Sequence, residues 1–198
     1  MEHTWDDTWK EYKGLNFFGR RLKEADYRAI LKLTKSEDVG NVLEVGCGAG
    51  EITQKLMRHW KVTGIDNSPN SVRICTENGL DVRQMDASDI KFDNSSFDLV
   101  YSDGLLEHFE NFEPFVKEMC RVAKKLVIIT QPNHFSIYHK IIHKMGGIPV
   151  HEYTYTVDDF SKIFEKFGFK LVSKIGVNMN EQWGLLFERQ TTDSSLQA

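Results

Sequence analysis

The chain has 198 residues, 40% of them apolar, and its 25 Lys and Arg stand against 29 Asp and Glu for a net charge of -4. That length suits one domain with a sizeable core, and the slightly acidic balance gives no overall pull toward nucleic acid or an anionic membrane. No stretch approaches the roughly 18 apolar residues of a membrane span, and the first ten residues, with Glu2, Asp6, Asp7 and Lys10, carry no apolar run of a secretion signal; a cytoplasmic protein is expected.

Residues 5–33 carry Trp5, Trp9, Tyr12, Phe17, Phe18, Leu22, Tyr27, Ile30, Leu31 and Leu33 broadly at helical spacing, which predicts one or two leading helices. An apolar strand over residues 41–45 then runs into Gly46-Cys47-Gly48-Ala49-Gly50, and Ile52, Leu56 and Met57 mark the apolar face of a helix starting near Glu51. Residues 62–66 read as a second strand, followed by a helix start at Asn67-Ser68-Pro69. Third and fourth strands are expected over residues 82–86 and 97–102, a helix over 112–123, and a fifth strand over 126–130, apolar throughout and so buried on both faces. A helix over residues 157–167 and two strands over 170–175 and 183–188 complete the chain. The short connection between those last strands permits only an antiparallel pair. Strand and helix alternate as in a doubly wound α/β sheet, read as one domain over residues 1–189 with a flexible tail over 190–198. Cys47, Cys75 and Cys120 are too scattered for a disulfide framework or zinc-ligand spacing and read as reduced thiols.

The glycine turn carries the most information. Gly46, Gly48 and Gly50 let the backbone take conformations closed to other residues and let a ligand approach the main chain. A dinucleotide fingerprint spaces its glycines G-x-G-x-x-G and holds a pyrophosphate at the following helix start. Here the third glycine comes one residue early and position 51 is Glu, which would repel phosphate. Asp66 lies twenty residues after Gly46, where a carboxylate can accept from both hydroxyls of a ribose, and Asp86 lies another twenty residues on. Either acid alone reads equally well as a helix cap or loop residue; at successive strand ends, both would face one crevice.

These residues resemble the class I S-adenosylmethionine-dependent methyltransferases, in particular the small-molecule type that includes the ubiquinone and menaquinone biosynthesis methyltransferases. The resemblance is carried by Glu44-Val45-Gly46-Cys47-Gly48-Ala49-Gly50, Gly64-Ile65-Asp66-Asn67-Ser68-Pro69, Asp86-Ala87 and the run from Phe97 through Ser102-Asp103-Gly104-Leu105-Leu106-Glu107 to His108. It implies a Rossmann-like seven-stranded sheet with strands 1–5 parallel and an antiparallel C-terminal pair. It also implies that Gly46, Cys47, Gly48 and Gly50 hold the methionine part of S-adenosylmethionine. Asp66, with Asn67 beside it, would hold the ribose, Asp86 the adenine amino group, and Ala87 the ring, while Ser102 and Leu105 run past the methyl group. Residues 1–35 would form a helical cap with Tyr12 nearest the cofactor, the other reading being an amphipathic helix docked on the sheet. Glu44 reads either as a partner for the cofactor's ammonium group or as a buried acid of the fold.

A sulfonium cofactor carries no phosphate, so Glu51 is no obstacle to it. Its methyl group is already activated, so a base is optional; His108 either faces the pocket in that role or caps the next helix. Residues 133–156 are expected to form a substrate lid, with His134, Tyr138 and Tyr153 as substrate contacts. His139 and His143 are four apart, but no third ligand stands near them and the H-E-x-x-H pattern is absent, so no metal is expected. The reading is a methyltransferase acting on a small-molecule acceptor, without nucleic acid, because Ser102-Asp103-Gly104-Leu105 is not the Asn/Asp-Pro-Pro-aromatic motif of enzymes that methylate base nitrogens. The alternatives are an NAD-dependent oxidoreductase and a non-catalytic cofactor-binding or regulatory module.

Overall fold

The central strands are buried on both faces, and their side chains sort alternately into two cores. Val42, Val62, Leu99, Tyr101, Leu126 and Ile128 pack with Tyr27, Ile30, Ile52 and Leu56 on one face of the sheet. Leu43, Val45, Ile65, Val100, Val127 and Ile129 pack on the other with Val116, Met119, Phe160 and Phe164. This is the two-sided burial that crossover helices impose on a parallel sheet. The computed structural model describes residues 5–10, 12–144 and 151–191.

Helices α1 (Trp5–Lys10) and α2 (Phe17–Leu33) lead into β1 (Asn41–Val45), α3 (Glu51–Leu56), β2 (Lys61–Asp66), α4 (Pro69–Glu77) and β3 (Val82–Gln84). The chain continues through β4 (Phe97–Asp103), a 3-10 turn (Leu106–His108), α5 (Glu113–Val122), β5 (Ala123–Pro132), α6 (Ile137–Lys144), α7 (Val157–Lys166), β6 (Phe169–Val177) and β7 (Gln182–Arg189). The sheet order is β3-β2-β1-β4-β5-β7-β6, with β1 to β5 mutually parallel. β7 lies antiparallel between β5 and β6, so β6 again runs with the first five strands. The expected seven-stranded, Rossmann-like sheet is therefore present, with its reversed strand inserted one place in from the edge.

Local chemistry fixes the element ends. Asn16 caps α2 by accepting from the Gly19 amide, and Ser68 caps α4 by accepting from Ser71, with Pro69 in the first turn. Thr156 and Asp159 form a reciprocal capping box at α7. Arg189 donates to the carbonyls of Cys120, Ala123 and Lys124 and stacks on Phe169, tying the end of β7 to the α5–β5 corner. Two expectations shift. β3 stops at Gln84, two residues short of Asp86, and Met57 lies outside α3 and is exposed, because α3 closes after one and a half turns.

Candidate functional site

Strand order reverses between β1 and β4, and in a doubly wound sheet the crevice beyond the strand ends at that point holds ligands. Here it opens into a cavity of about 1040 Å³ lined by the glycine turn, the ends of β2 and β4, the leading helices and the segment around Glu152. Gly46, Gly48 and Gly50 take φ of 75°, 53° and 80°, a left-handed region that strains residues with a Cβ. The turn is pinned to β2: the Gly46 and Cys47 amides both donate to the Ile65 carbonyl, at 2.9 and 3.0 Å.

Asp66 does two jobs at the end of β2. Its Oδ2 accepts from the Gly48 amide at 2.8 Å and its Oδ1 from the Ser68 amide at 2.9 Å. Burial raises its pKa, with the Ser68 and Gly48 hydrogen bonds opposing. A carboxylate offers about four lone-pair sites, so two remain for a ligand. Glu44, on β1, is fully buried against Thr53, whose hydroxyl donates to it; burial pushes its pKa up to about 8 despite that bond. Asp86 and Asn67 line the exposed lip, Asp86 accepting from the Ser88 amide and hydroxyl at 2.7 Å, with Ala87 and Met85 beside it.

The leading helices close over this arrangement. Asp6 accepts from the Ser68 hydroxyl and from the amide and side chain of Asn70, docking α1 on the start of α4. Trp9 lies flat enough on the turn that a Cβ added at Gly48 would sit 2.6 Å from its ring. Trp9 lines the cavity, whereas Tyr12 packs edge-on against Trp9 and is not among the lining residues. The Trp5 side chain lies outside the described part. Lys23 of α2 enters the cavity and pairs with Asp103 at the end of β4, where the Thr130 hydroxyl also donates to Asp103. Burial pushes the Lys23 ammonium down, but Asp103 and Asp26 outweigh it and hold it above its ordinary range.

The other expected site residues divide between the cavity wall and its surroundings. Leu105 does face the turn, its Cδ1 3.2 Å from a Cβ built at Gly46, but Ser102 is fully buried inside β4 and does not line the cavity. His108 lines it, with Nδ1 3.0 Å from the His151 carbonyl and Nε2 3.9 Å from Glu107. Burial holds Glu107 well above the usual carboxylate range. Of the expected substrate contacts none lines the cavity: His134 sits behind its wall, Tyr153 meets His151 edge-on and stacks on Tyr155, and Tyr138 faces a separate groove with Phe18 and Met179. His139, Glu152 and Glu181 line it instead. Glu152 is close to both His134 and His139, so the partner missing from the sequence spacing comes from beyond residues 145–150. The His143 side chain, residues 145–150 of the expected lid and residues 192–198 of the tail lie outside the described part. Cys47, Cys75 and Cys120 are buried free thiols.

Among the described residues, nine carboxylates line the cavity against one ammonium, Lys23, and no guanidinium. Such a lining favours a cationic ligand and disfavours phosphate. Residues 43–129 match the family model described as a methyltransferase domain. Over that stretch the chain is similar to the methyltransferase domain family. Ajmaline N-methyltransferase of Rauvolfia serpentina is 34% identical over 93 residues, 42% of this chain and 32% of that protein. The chain spans about a third to a half of the length of the first curated relatives it matches. Magnesium protoporphyrin IX methyltransferase of Synechocystis PCC 6803, solved with bound S-adenosylhomocysteine, shares the methyltransferase fold with a TM-score of 0.71 at 17% identity, covering 92% of each chain. The family match leaves the oxidoreductase alternative without support. The expected exclusion of nucleic acid does not hold across the relatives: the ribosomal RNA large subunit methyltransferase E of Brachyspira hyodysenteriae is 32% identical over 106 residues, 46% of this chain and 53% of that protein. No helix among the described residues is long and apolar enough to cross a membrane.

Proposed function

We propose that this chain transfers a methyl group from S-adenosylmethionine to a small-molecule acceptor. The observation that carries the reading is the carboxylate-lined cavity built on a left-handed glycine turn. It suits a ligand that is cationic at sulfur and nitrogen and bears a ribose, and the residues present fit that ligand. Asp66 keeps acceptor capacity for two ribose hydroxyls after satisfying the Gly48 and Ser68 amides. An ammonium group beside Glu44 would draw its raised pKa back down and pair with the carboxylate. Asp86 and Ala87 stand at the lip for the base, and Gly46 and Gly48 line the part left for the amino-acid end, whereas Gly50 is turned toward Leu80 and Cys75.

When bound, the sulfonium supplies a methyl group with its leaving group already activated. The chain's own task is then alignment and exclusion of water. Trp9 and α1 cover the turn, and α2, with Leu22 and Lys23, forms the adjoining wall, so these two helices act as the cap. Where the acceptor must lose a proton, His108 is the lining base whose Nδ1 is occupied by the His151 carbonyl, leaving Nε2 on the Glu107 side. A small acceptor is favoured because Glu107, His108, Phe109, Phe115 and Glu152 already line that end of the cavity. Related proteins named for alkaloid and lipid substrates support the same class.

Calorimetric titration with S-adenosylhomocysteine and, separately, with NAD tests the reading. Binding of the thioether nucleoside without binding of NAD is the expected result; NAD binding, or no binding of S-adenosylhomocysteine by folded protein, overturns it.

A further inference from the structure

His134 lies in the loop after β5, His139 on the first turns of α6, and Glu152 in the segment before α7. Nothing in their spacing ties them together, yet their ligand atoms all lie within 4.8 Å of one another. Nε2 of His134 is 3.1 Å and Nε2 of His139 is 3.9 Å from the same Glu152 Oε2. We propose that these three side chains form a binding site for a divalent transition-metal ion, with open coordination positions on the cavity side.

The geometry is close to what such an ion needs. Metal–nitrogen and metal–oxygen bonds of about 2.0–2.2 Å in a tetrahedral site put the donors roughly 3.3–3.5 Å apart. The separations here bracket that spacing, so shifts of about 1 Å complete the site. Two imidazoles and one carboxylate suit zinc, iron(II), cobalt(II) or manganese(II) and not magnesium or calcium, which take mainly oxygen donors. Three protein donors leave at least one position free, and His139 and Glu152 both line the cavity.

The surroundings supply the outer support that metal-binding imidazoles use. Nδ1 of His139 is 3.3 Å from Glu181 Oε1, which turns Nε2 toward Glu152. Glu181 is fixed to the His134 loop before any ion arrives: the Asn133 amide donates to the Glu181 carbonyl at 2.8 Å, and the Asn133 side chain donates to the Asn180 carbonyl at 3.0 Å. The two acids face two imidazoles in a poorly solvated pocket, where a divalent charge relieves the repulsion between them. A plain ion-paired network would explain the His134–Glu152 contact, but it gives no reason for both Nε2 atoms to converge on one oxygen while Glu181 orients the ring behind.

The test uses the full chain stripped with chelator and titrated with cobalt(II) by absorbance and with zinc by calorimetry, with thermal unfolding as the fold control. One ion per chain with a visible cobalt d–d band is expected. His139→Asn and Glu152→Gln should each weaken binding at least 100-fold. Glu181→Gln, a change in a positioning residue, should weaken it 10- to 100-fold while keeping the shape of the cobalt spectrum. Less than a tenth of an equivalent bound by the folded parent, or unchanged affinity in His139→Asn, overturns the site. The same samples are titrated with S-adenosylhomocysteine: a parent that binds it but no ion refutes this inference alone, and a parent that binds an ion but no S-adenosylhomocysteine refutes the methyl-transfer reading alone.

Discussion

Asp66 is the residue whose replacement is most instructive, because it serves the fold and the ligand through different lone pairs. Its two oxygens take the Gly48 and Ser68 amides at 2.8 and 2.9 Å. Hydrogen bonds to a charged acceptor are worth about 1.5–3 kcal/mol each, so losing both costs at least about 3 kcal/mol. For a domain of this size each kcal/mol moves Tm by roughly 2–4 °C, which puts Asp66→Ala about 6–12 °C below the parent. Asp66→Asn is close to isosteric but should fare no better. Its one carbonyl can satisfy one amide, while its NH2 group meets the other donor to donor. The ligand loses both hydroxyl contacts in Asp66→Ala and at least one in Asp66→Asn, so affinity for S-adenosylhomocysteine should fall about 100-fold or more in the first and at least about tenfold in the second. Differential scanning fluorimetry reads the first effect, and calorimetry below the variant's Tm reads the second. Asp66→Asn melting with the parent would show that the carboxylate does not hold the turn, and a folded Asp66→Ala with parental affinity would remove Asp66 from the ligand site.

Two further outcomes follow from the same region. The Glu44 carboxyl, raised from 4.5 to about 8 in the folded chain, keeps its proton where the unfolded chain has lost it, so its contribution is complete below pH 4.5 and is lost as pH rises to 8. Urea unfolding at pH 5.5, 6.5 and 7.5 should show Glu44→Gln removing a decline of up to ~1.4 kcal/mol per pH unit from the parent profile; parallel profiles would mean that Glu44 is ionised in the fold. Gly50→Ala forces a Cβ into a φ of 80° and to 2.4 Å from Leu80 and 2.9 Å from Cys75, so it should lower stability by roughly 1–3 kcal/mol, and a parental urea midpoint would contradict that packing.

How much could be read beforehand depended on sequence distance. The β1 strand, the glycine turn and Asp66 lie within 26 residues of one another and are governed by local rules: buried-strand composition, left-handed glycines and a strand-end acid. They were legible for that reason. Trp9 and not Tyr12 covers the turn because Asp6 anchors α1 to α4, an interaction across 62 residues that periodicity does not encode. Lys23 and Asp103 meet across 80 residues, and His139 and Glu181 across 42. In each case a helical or loop residue that reads as surface in the sequence is turned inward by its partner's element. Met57 erred in the other direction, being apolar at the right spacing but one residue beyond the point where α3 ends.

The inserted strand explains why the far end of the cavity was the least legible part. Residues 178–181 link β6 to β7, and Asn178, Met179 and Asn180 among them all take positive φ, from 48° to 66°. For residues with a Cβ this costs of the order of 1 kcal/mol each, and it persists only where the surroundings require it. The requirement is visible: the turn delivers the Asn180 and Glu181 carbonyls to Asn133 at the end of β5, which ties the β6–β7 connection to the loop carrying His134. A relaxed glycine turn there would make the hairpin easier to form, but it would not hold those two carbonyls and the Glu181 side chain in one orientation. The strained connection is thus the element that sets the chemistry of this end of the cavity, and its residue types alone, Asn-Met-Asn between two strands, announce only a turn.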